Sequence, residues 1–383
     1  MKQYSEKKMN KTVYWAEKPG DKDTKVIRVV KEQESDSEML SVCLREAARC
    51  LKQGGLVAFP TETVYGLGAD ALNETAAKRI YEAKGRPSDN PLIVHISAIE
   101  DMDKIAYVND MAKALAQAFW PGPLTIILPK KECVPDGTTG GLGTVAIRMP
   151  SHPAALELIR QSGVYVAAPS ANTSGRPSPT KASHVVEDMR GKIEYIVDGG
   201  AVGIGIESTI VDVSGEKPMI LRPGFISKHM LEQIIGDVEI DPALSKPMDG
   251  MRPKAPGMKY THYAPKGEMT LVEGDEGVRG QVIQKIKHLA TQKQQEGFRV
   301  GIMAPKETIS FYYGCADAVI CVGDRNGQQT VAAGLYAALR EFDVAEVDYI
   351  YAESFRGEEL SDAIMNRLLK AAGHRIICVE RGE

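Results

Sequence analysis

The 383-residue sequence contains no apolar run approaching the roughly eighteen residues that a membrane span needs. Its opening stretch, MKQYSEKKMNKTVYW, is charged and lacks the apolar segment of a signal peptide. These absences lead to the expectation of a cytoplasmic location and no membrane partner. None of the cysteines Cys43, Cys50, Cys133, Cys315, Cys321 and Cys378 forms a C-x-x-C pair or stands near a histidine at zinc-finger spacing. Scattered in this way they read as reduced, mostly buried thiols. Neither sign of charge dominates, with 47 Lys plus Arg against 51 Asp plus Glu and a net charge of -4. No global drive toward nucleic acid or anionic membrane follows, although a local basic patch is compatible with that balance.

The standard nucleotide fingerprints are missing too. There is no G-x-x-x-x-G-K-[ST]; Gly191-Lys192 is followed by Ile193 and lacks the upstream glycine. Gly66-Leu67-Gly68 and Gly203-Ile204-Gly205 both miss the third glycine of a dinucleotide loop. Neither H-E-x-x-H nor G-x-S-x-G occurs. A nucleotide bound by this chain is held by another arrangement.

Hydrophobic residues at 43% and charged residues at 26% are globular proportions, and the length exceeds one compact core. Residues 1–38 are polar and rich in lysine and glutamate, which predicts an extension with at most one short strand near Val26–Val30. From Met39 to Leu51 the apolar positions follow a helical period, Gly54-Gly55 ends that helix, and Leu56–Phe59 reads as a strand. Residues 39–240 then alternate short apolar strands, such as Thr144–Met149 and Thr209–Val213, with helical runs such as Glu74–Ala83 and Lys181–Met189. That mixture predicts an α/β domain with helices covering a sheet. Residues 241–268 are a linker by composition, with five prolines and three glycines between Pro242 and Gly267. They also carry Lys254, Lys259, Tyr260, His262 and Tyr263, which suits a lid or binding loop. Residues 269–383 resume the alternation with five strand-like and three helical runs, predicting a smaller parallel, Rossmann-like α/β domain.

Chemistry gathers where apolar strands end. Phe59 to Gly68 reads FPTETVYGLG, placing hydroxyls, a carboxylate, a phenol and two glycines within ten residues of a strand. Such a segment suits close backbone approach to a ligand, or simply a tight turn. Lys84-Gly85-Arg86-Pro87 supplies two cations on a rigid loop; these fit a phosphate or carboxylate, or a helix dipole that they would complement. Ala168-Pro169-Ser170-Ala171-Asn172 through Ser178 is a hydroxyl and amide cluster, which could also cap the helix starting near Lys181. Glu207-Ser208-Thr209 and Leu221-Arg222-Pro223-Gly224 repeat the theme. Five such clusters converge on one pocket more plausibly than they arise independently. His95, closing an apolar strand, suits a structural role as readily as a ligand contact. Arg148 is the lone charge of its strand and requires an anion, either a protein carboxylate or one from a substrate.

Taken together, these residues resemble the YrdC family, and the chain resembles its longer two-domain form from about Met39 to the C-terminus. The resemblance rests on Phe59–Gly68, on Lys84-x-Arg86 with Ser170-x-Asn172, and on the linker motifs Pro256-Gly257-Met258-Lys259-Tyr260 and His262-Tyr263-Ala264-Pro265. It implies condensation of L-threonine, bicarbonate and ATP into threonylcarbamoyl-adenylate with release of pyrophosphate, and Mg²⁺ accompanying ATP. The product would pass to downstream enzymes that modify the tRNA adenosine beside the anticodon. By the same resemblance, Lys84 and Arg86 are catalytic and, with Ser170, Asn172, Ser178, Arg222 and Tyr263, bind ATP. Thr61, His95, Arg148, Ala168 and Ser208 would hold threonine.

Two other readings are open to this fold. One is a module for double-stranded RNA or tRNA without the enzymatic activity, against which the net charge of -4 argues, leaving at most weak RNA binding. The other is carbamoyl transfer, whose hydrogenase-maturation representatives carry cysteine-rich zinc segments and an acylphosphatase domain; neither pattern is present.

Overall fold

The computed structural model describes residues 13–15, 23–244, 253, 255–256, 262–357 and 360–380. Local signals set the element ends. Asp36 accepts hydrogen bonds from the amides of Glu38 and Met39, opening helix Ser37–Lys52, whose Leu40, Leu44, Ala47, Ala48 and Leu51 are buried. Asn73 caps helix Glu74–Lys84 in the same way. Gly85 then takes a left-handed φ of 62°, and the Arg86 amide donates back to Tyr81 O at 2.9 Å. This stop turns the chain inward immediately after Lys84.

The front domain is built on a twelve-stranded mixed sheet. Its strands are β1 (Val13–Trp15), β2 (Thr24–Arg28), β3 (Val57–Phe59), β4 (Gly66–Asp70), β5 (Ile93–His95) and β6 (Leu124–Pro129), followed by β7 (Thr144–Arg148), β8 (Val166–Ala167), β9 (Tyr195–Asp198), β10 (Thr209–Asp212), β11 (Met219–Arg222) and β12 (Glu239–Ile240). The order is β1-β2-β9-β3-β4-β8-β5-β7-β6-β10-β11-β12. Parallel pairs such as β5–β7 and β6–β10 alternate with antiparallel ones such as β3–β4 and β6–β7. The second domain has five strands, β13 (Glu268–Glu273), β14 (Val300–Ala304), β15 (Ala318–Cys321), β16 (Tyr349–Glu353) and β17 (Ile376–Cys378). They are all parallel, in the order β15-β14-β16-β13-β17. Helices Arg279–Gln295, Gln328–Val344 and Ser361–Ala371 connect them. The α/β class and the parallel second domain are as the alternating patterns predict.

Three differences from expectation have physical causes. The leading segment contributes two strands rather than one: β2 pairs in parallel with β9 and antiparallel with β1, and Thr24 Oγ1 donates to Ile193 O at 2.7 Å. A three-residue strand such as β1 carries no readable period. Gly66–Asp70, read as a ligand-approach segment or a tight turn, is a buried strand between β3 and β8. At Gly68 a Cβ would meet Phe59 at 2.8 Å and Val166 at 2.7 Å, so the glycine is there for packing as well as for freedom. Helix Lys228–Ile235 and β12 were not expected, since neither has a long enough pattern. The linker residues Lys254, Gly257, Met258, Lys259 and Tyr260 lie outside the described residues.

The domains share a core. Val64 and Ile206 of the front domain and Tyr263 of the linker cluster with Leu335, Tyr336 and Phe355 of the second domain. At Gly205, whose φ is 84°, a Cβ would lie 2.4 Å from Ala333 Cα. Backbone meets helix there with no room for a side chain.

Candidate active site

Strand ends of the front sheet surround one cavity, and three described residues of the linker reach it. The segment between β3 and β4 delivers Thr61, Thr63 and Val64; the loop after helix Glu74–Lys84 delivers Arg86; β5 and β7 deliver His95 and Arg148. The loop after β8 adds Ala168, Pro169 and Ser170, the approach to β10 adds Glu207 and Ser208, and β11 ends in Arg222. Pro256, His262 and Tyr263 come from the linker.

Thr61 builds the turn at the mouth. Its hydroxyl donates to Val64 O at 2.6 Å and accepts from the amides of Thr63 and Val64 at 3.2 Å. Arg148 is 4% exposed and lies 2.6 Å from Oε1 of Glu62, while Nη1 donates to Thr63 Oγ1 at 2.9 Å. The anion expected for it is thus a protein carboxylate, although the guanidinium still lines the cavity. Nη2 faces Oε1 at an angle that leaves no proper hydrogen bond between them. Burial, reinforced by the Arg148 charge, pushes the His95 pKa down to about 3. The imidazole is therefore neutral at physiological pH, with Nδ1 3.1 Å from Ile93 O.

Arg86 and Arg222 present a different problem. Arg86 donates to the carbonyls of Asn90 and Pro91 at 3.3 and 3.1 Å, and burial lowers its pKa to about 10. Arg222 donates to Ser208 O at 3.0 Å and Ser208 Oγ at 3.1 Å, and burial lowers its pKa as well. Both are at least 91% buried, being 9% and 5% exposed. Among the described residues neither has an ion-paired carboxylate. Two buried cations facing one cavity without a paired anion are costly unless a ligand brings negative charge.

Lys84, Asn172 and Ser178 sit just behind the wall. Lys84, 2% exposed, donates from Nζ to the carbonyls of Ser170 and Asn172, the latter at 2.5 Å. Burial, then the Arg86 charge, holds its pKa well below the ordinary value. Ser170 Oγ donates to Asn172 Oδ1 at 2.5 Å, and Asn172 Nδ2 donates to Thr173 O and Arg176 O at 2.9 Å. Ser178 Oγ donates to Glu207 Oε1 at 2.6 Å. So Thr61, Arg86, His95, Arg148, Ala168, Ser170, Ser208, Arg222 and Tyr263 line the cavity, whereas Lys84, Asn172 and Ser178 brace it.

Glu207 was not among the expected site residues. Burial pushes its carboxyl up, but Arg367 and Arg222 outweigh burial and hold it at about 2. Oε2 accepts from Tyr336 OH at 2.8 Å and from Arg367 Nε at 3.2 Å. Both partners belong to the second domain, so a residue of the cavity wall is held in place from there. Arg340 adds a second tie, donating to Asp188 Oδ2 and to Pro177 O at 2.7 Å. The end of the linker is held between the domains: Tyr263 adopts φ 67° and stacks on Tyr336 with ring centroids 5.1 Å apart. The Ala264 amide donates to Gly175 O at 2.9 Å. Thr63 and His262 also line the cavity. In the sequence His262 reads as part of a lid or binding loop without a ligand of its own, and nothing around Thr63 singles it out.

Comparison with known proteins agrees with this architecture. Residues 49–224 match a family model described as "Telomere recombination", and residues 226–373 match one for the threonylcarbamoyl-AMP synthase C-terminal domain. A threonylcarbamoyl-AMP synthase of Bacillus subtilis is 52% identical over 87% of this chain and 94% of its own length. That of Pyrococcus abyssi is 51% identical over 88% and 96%. A crystal structure of Pyrococcus abyssi Sua5 complexed with L-threonine superposes with a TM-score of 0.85 at 48% identity, covering 93% of this chain and 99% of that one. With both domains, the linker between them and nearly the whole length matched, the chain belongs to the threonylcarbamoyl-AMP synthase family.

Proposed function

We propose that this protein condenses L-threonine, bicarbonate and ATP into L-threonylcarbamoyladenylate and pyrophosphate, acting as a nucleotidyltransferase. The observation that carries the reading is the pair of buried, carboxylate-free guanidiniums, Arg86 and Arg222, facing the same cavity as Thr61, His95, Arg148, Ala168 and Ser208. The neutral amine of threonine takes up bicarbonate with loss of water, giving an N-carboxylate. One oxygen of that carboxylate attacks the α-phosphorus of ATP, and the bond to pyrophosphate breaks. Attack by an anion on a polyanion calls for fixed positive charge rather than a nucleophilic side chain.

Arg86 and Arg222 supply that charge, with Ser170 and Tyr263 beside the nucleotide. Lys84 reaches a phosphate only by leaving the Ser170 and Asn172 carbonyls; held on them, it positions that loop together with Asn172, as Ser178 positions Glu207. Neutral His95 and the Thr61 and Ser208 hydroxyls suit the amino acid. Mg²⁺ enters with ATP as part of the substrate. Among the described residues no group of three His, Cys, Asp or Glu side chains is placed to hold a metal ion. The carboxylates of Glu207 and Glu62 are engaged by protein cations. These residues do not fit a resident metal cage. A labile N-carboxylate needs shelter from water, which gives the His262–Tyr263 cover its role. The product would serve later enzymes that transfer the threonylcarbamoyl group to tRNA adenosine.

The test is pyrophosphate release with ATP, threonine and bicarbonate, omitting each in turn. Release that needs all three is the expected result; release unaffected by omitting threonine or bicarbonate overturns the reading.

A further inference from the structure

The second domain holds a separate cavity of about 440 Å³, a size typical of small-molecule sites. It lies at the carboxyl ends of neighbouring strands β13 and β16, where Gly274 and Asp275 follow one and Ser354 follows the other. Crevices at that edge of a parallel sheet are where ligands of α/β domains collect.

Two long helices begin at its rim, Arg279–Gln295 and Gln328–Val344, each of 17 residues. Neither helix has a side-chain hydrogen bond from its N-cap residue, and Arg279 and Gln328, the first residue of each, line the cavity, which therefore lies at the positive ends of both helix dipoles. Arg325 and Arg356 add cationic forks. Arg325 is anchored on Glu353 at 2.7 Å and on Ser354 O at 2.9 Å, and Arg356 on Glu273 and Asp275 at 3.0 Å each. The Glu353 charge is further absorbed by Thr308 Oγ1 and Tyr312 OH, at 2.5 and 2.9 Å.

An independent observation points to a ligand. Gln328 is 3% exposed and lines the cavity, yet its Oε1 has no hydrogen-bond partner. A buried amide oxygen left unpaired costs the full desolvation of that group, and a ligand donor would satisfy it. An anion for the helix ends and arginines, combined with a donor for Gln328, describes a hydroxyl-bearing phosphate ester.

We propose that the second domain binds a small phosphate ester of nucleoside monophosphate or sugar phosphate size. Its phosphate lies at the two helix N-termini beside Arg325 and Arg356, and a ligand hydroxyl donates to Gln328 Oε1. This site is separate from the front cavity and does not depend on the reaction proposed there.

Hydrogen–deuterium exchange on the full chain locates binding without an activity readout. AMP, ribose 5-phosphate and inorganic phosphate are titrated separately, and protection is followed in segments 272–282, 325–331 and 353–357. AMP or ribose 5-phosphate is expected to protect these segments, with apparent affinity at least ~10-fold weaker in Gln328→Leu and in Arg356→Glu. Arg356 is exposed, so the second variant tests the site even where the first disturbs folding. Protection confined to front-domain segments, or unchanged in Arg356→Glu, overturns the proposal. Equal protection by inorganic phosphate overturns the ester assignment, leaving an anion subsite only.

Discussion

Arg367, wholly buried in the last helix of the second domain, donates from Nε to Glu207 Oε2 at 3.2 Å in the wall of the front cavity, 160 residues away in sequence. The same guanidinium also donates to Pro223 O and Glu207 O, beside Arg222. A carboxylate at that position would repel a phosphorylated substrate; Arg367 compensates its charge and so leaves Arg222 available to the ligand. The second domain is thereby part of the front site's electrostatics and not an appendage.

Replacing Arg367 by methionine should strand the Glu207 charge with only Ser178 and Tyr336 as partners. Removing one member of a buried pair typically costs about 3–5 kcal/mol. Urea denaturation should show a loss of that order, and pyrophosphate release should fall at least ~10-fold. Adding Glu207→Gln to Arg367→Met should recover most of the stability. A double variant no more stable than the single one would contradict the pairing.

Arg86→Ala and Arg222→Ala should each lower adenylate formation at least ~100-fold, since fixed charge aimed at a transition state is worth several kcal/mol. Threonine binding, measured without nucleotide, should change little in Arg86→Ala. Lys84→Ala should cut turnover by a similar factor, with a difference in character. Because Nζ holds the Ser170 and Asn172 carbonyls, the variant should also loosen that loop, visible as faster amide exchange over residues 170–176. Normal turnover in both Lys84→Ala and Arg86→Ala would defeat the roles given to these cations.

Much of this site could be read from the chain because its parts are local. Lys84-x-Arg86 owes its geometry to one helix stop at Gly85, and Ser170-x-Asn172 to one loop, so short motifs carry them. Arg148 advertised itself as a lone charge in an apolar strand, but its partner Glu62 lies 86 positions earlier, and nothing in either segment connects them. Glu207 was visible as a polar strand end, whereas the groups that set its charge, Tyr336 and Arg367, sit on helices whose sequences read only as amphipathic. The strand Gly66–Asp70 was hidden for a related reason: two glycines that look like a turn are demanded by Phe59 and Val166 across the sheet. Contacts of high sequence separation leave no periodic trace.

The buried histidines predict acid sensitivity. Burial lowers the pKa of His95 and His262 to about 3, and that of His184 to about 4, from an ordinary 6.5. Below pH 6.5 the unfolded chain binds protons at these sites that the folded chain refuses. Stability is therefore fully present above that pH and is lost as pH falls toward the folded values. Glu207, held at about 2 against an ordinary 4.5, adds a loss in the same direction below pH 4.5. Between pH 5 and 6 Glu207 does not yet act, and each of these histidines contributes a slope of up to about 1.4 kcal/mol per pH unit. Urea titrations at pH 5, 5.5 and 6 should show His95→Gln with a slope shallower by about one proton. An unchanged slope would mean that His95 is protonated in the fold.

Tyr263 combines two functions that substitution can separate. Its ring stacks on Tyr336 and lines the cavity, while its φ of 67° is a conformation that bulky side chains rarely adopt. Tyr263→Ala removes the ring but keeps the backbone penalty; Tyr263→Gly removes both, and should be the more stable of the two by about 1 kcal/mol. If the ring is what closes the cavity over the N-carboxylate, both variants should lose turnover alike and release pyrophosphate less efficiently per threonine bound. Recovery of turnover in the glycine variant alone would instead place the requirement in the backbone, with strain at Tyr263 hindering closure and the ring dispensable.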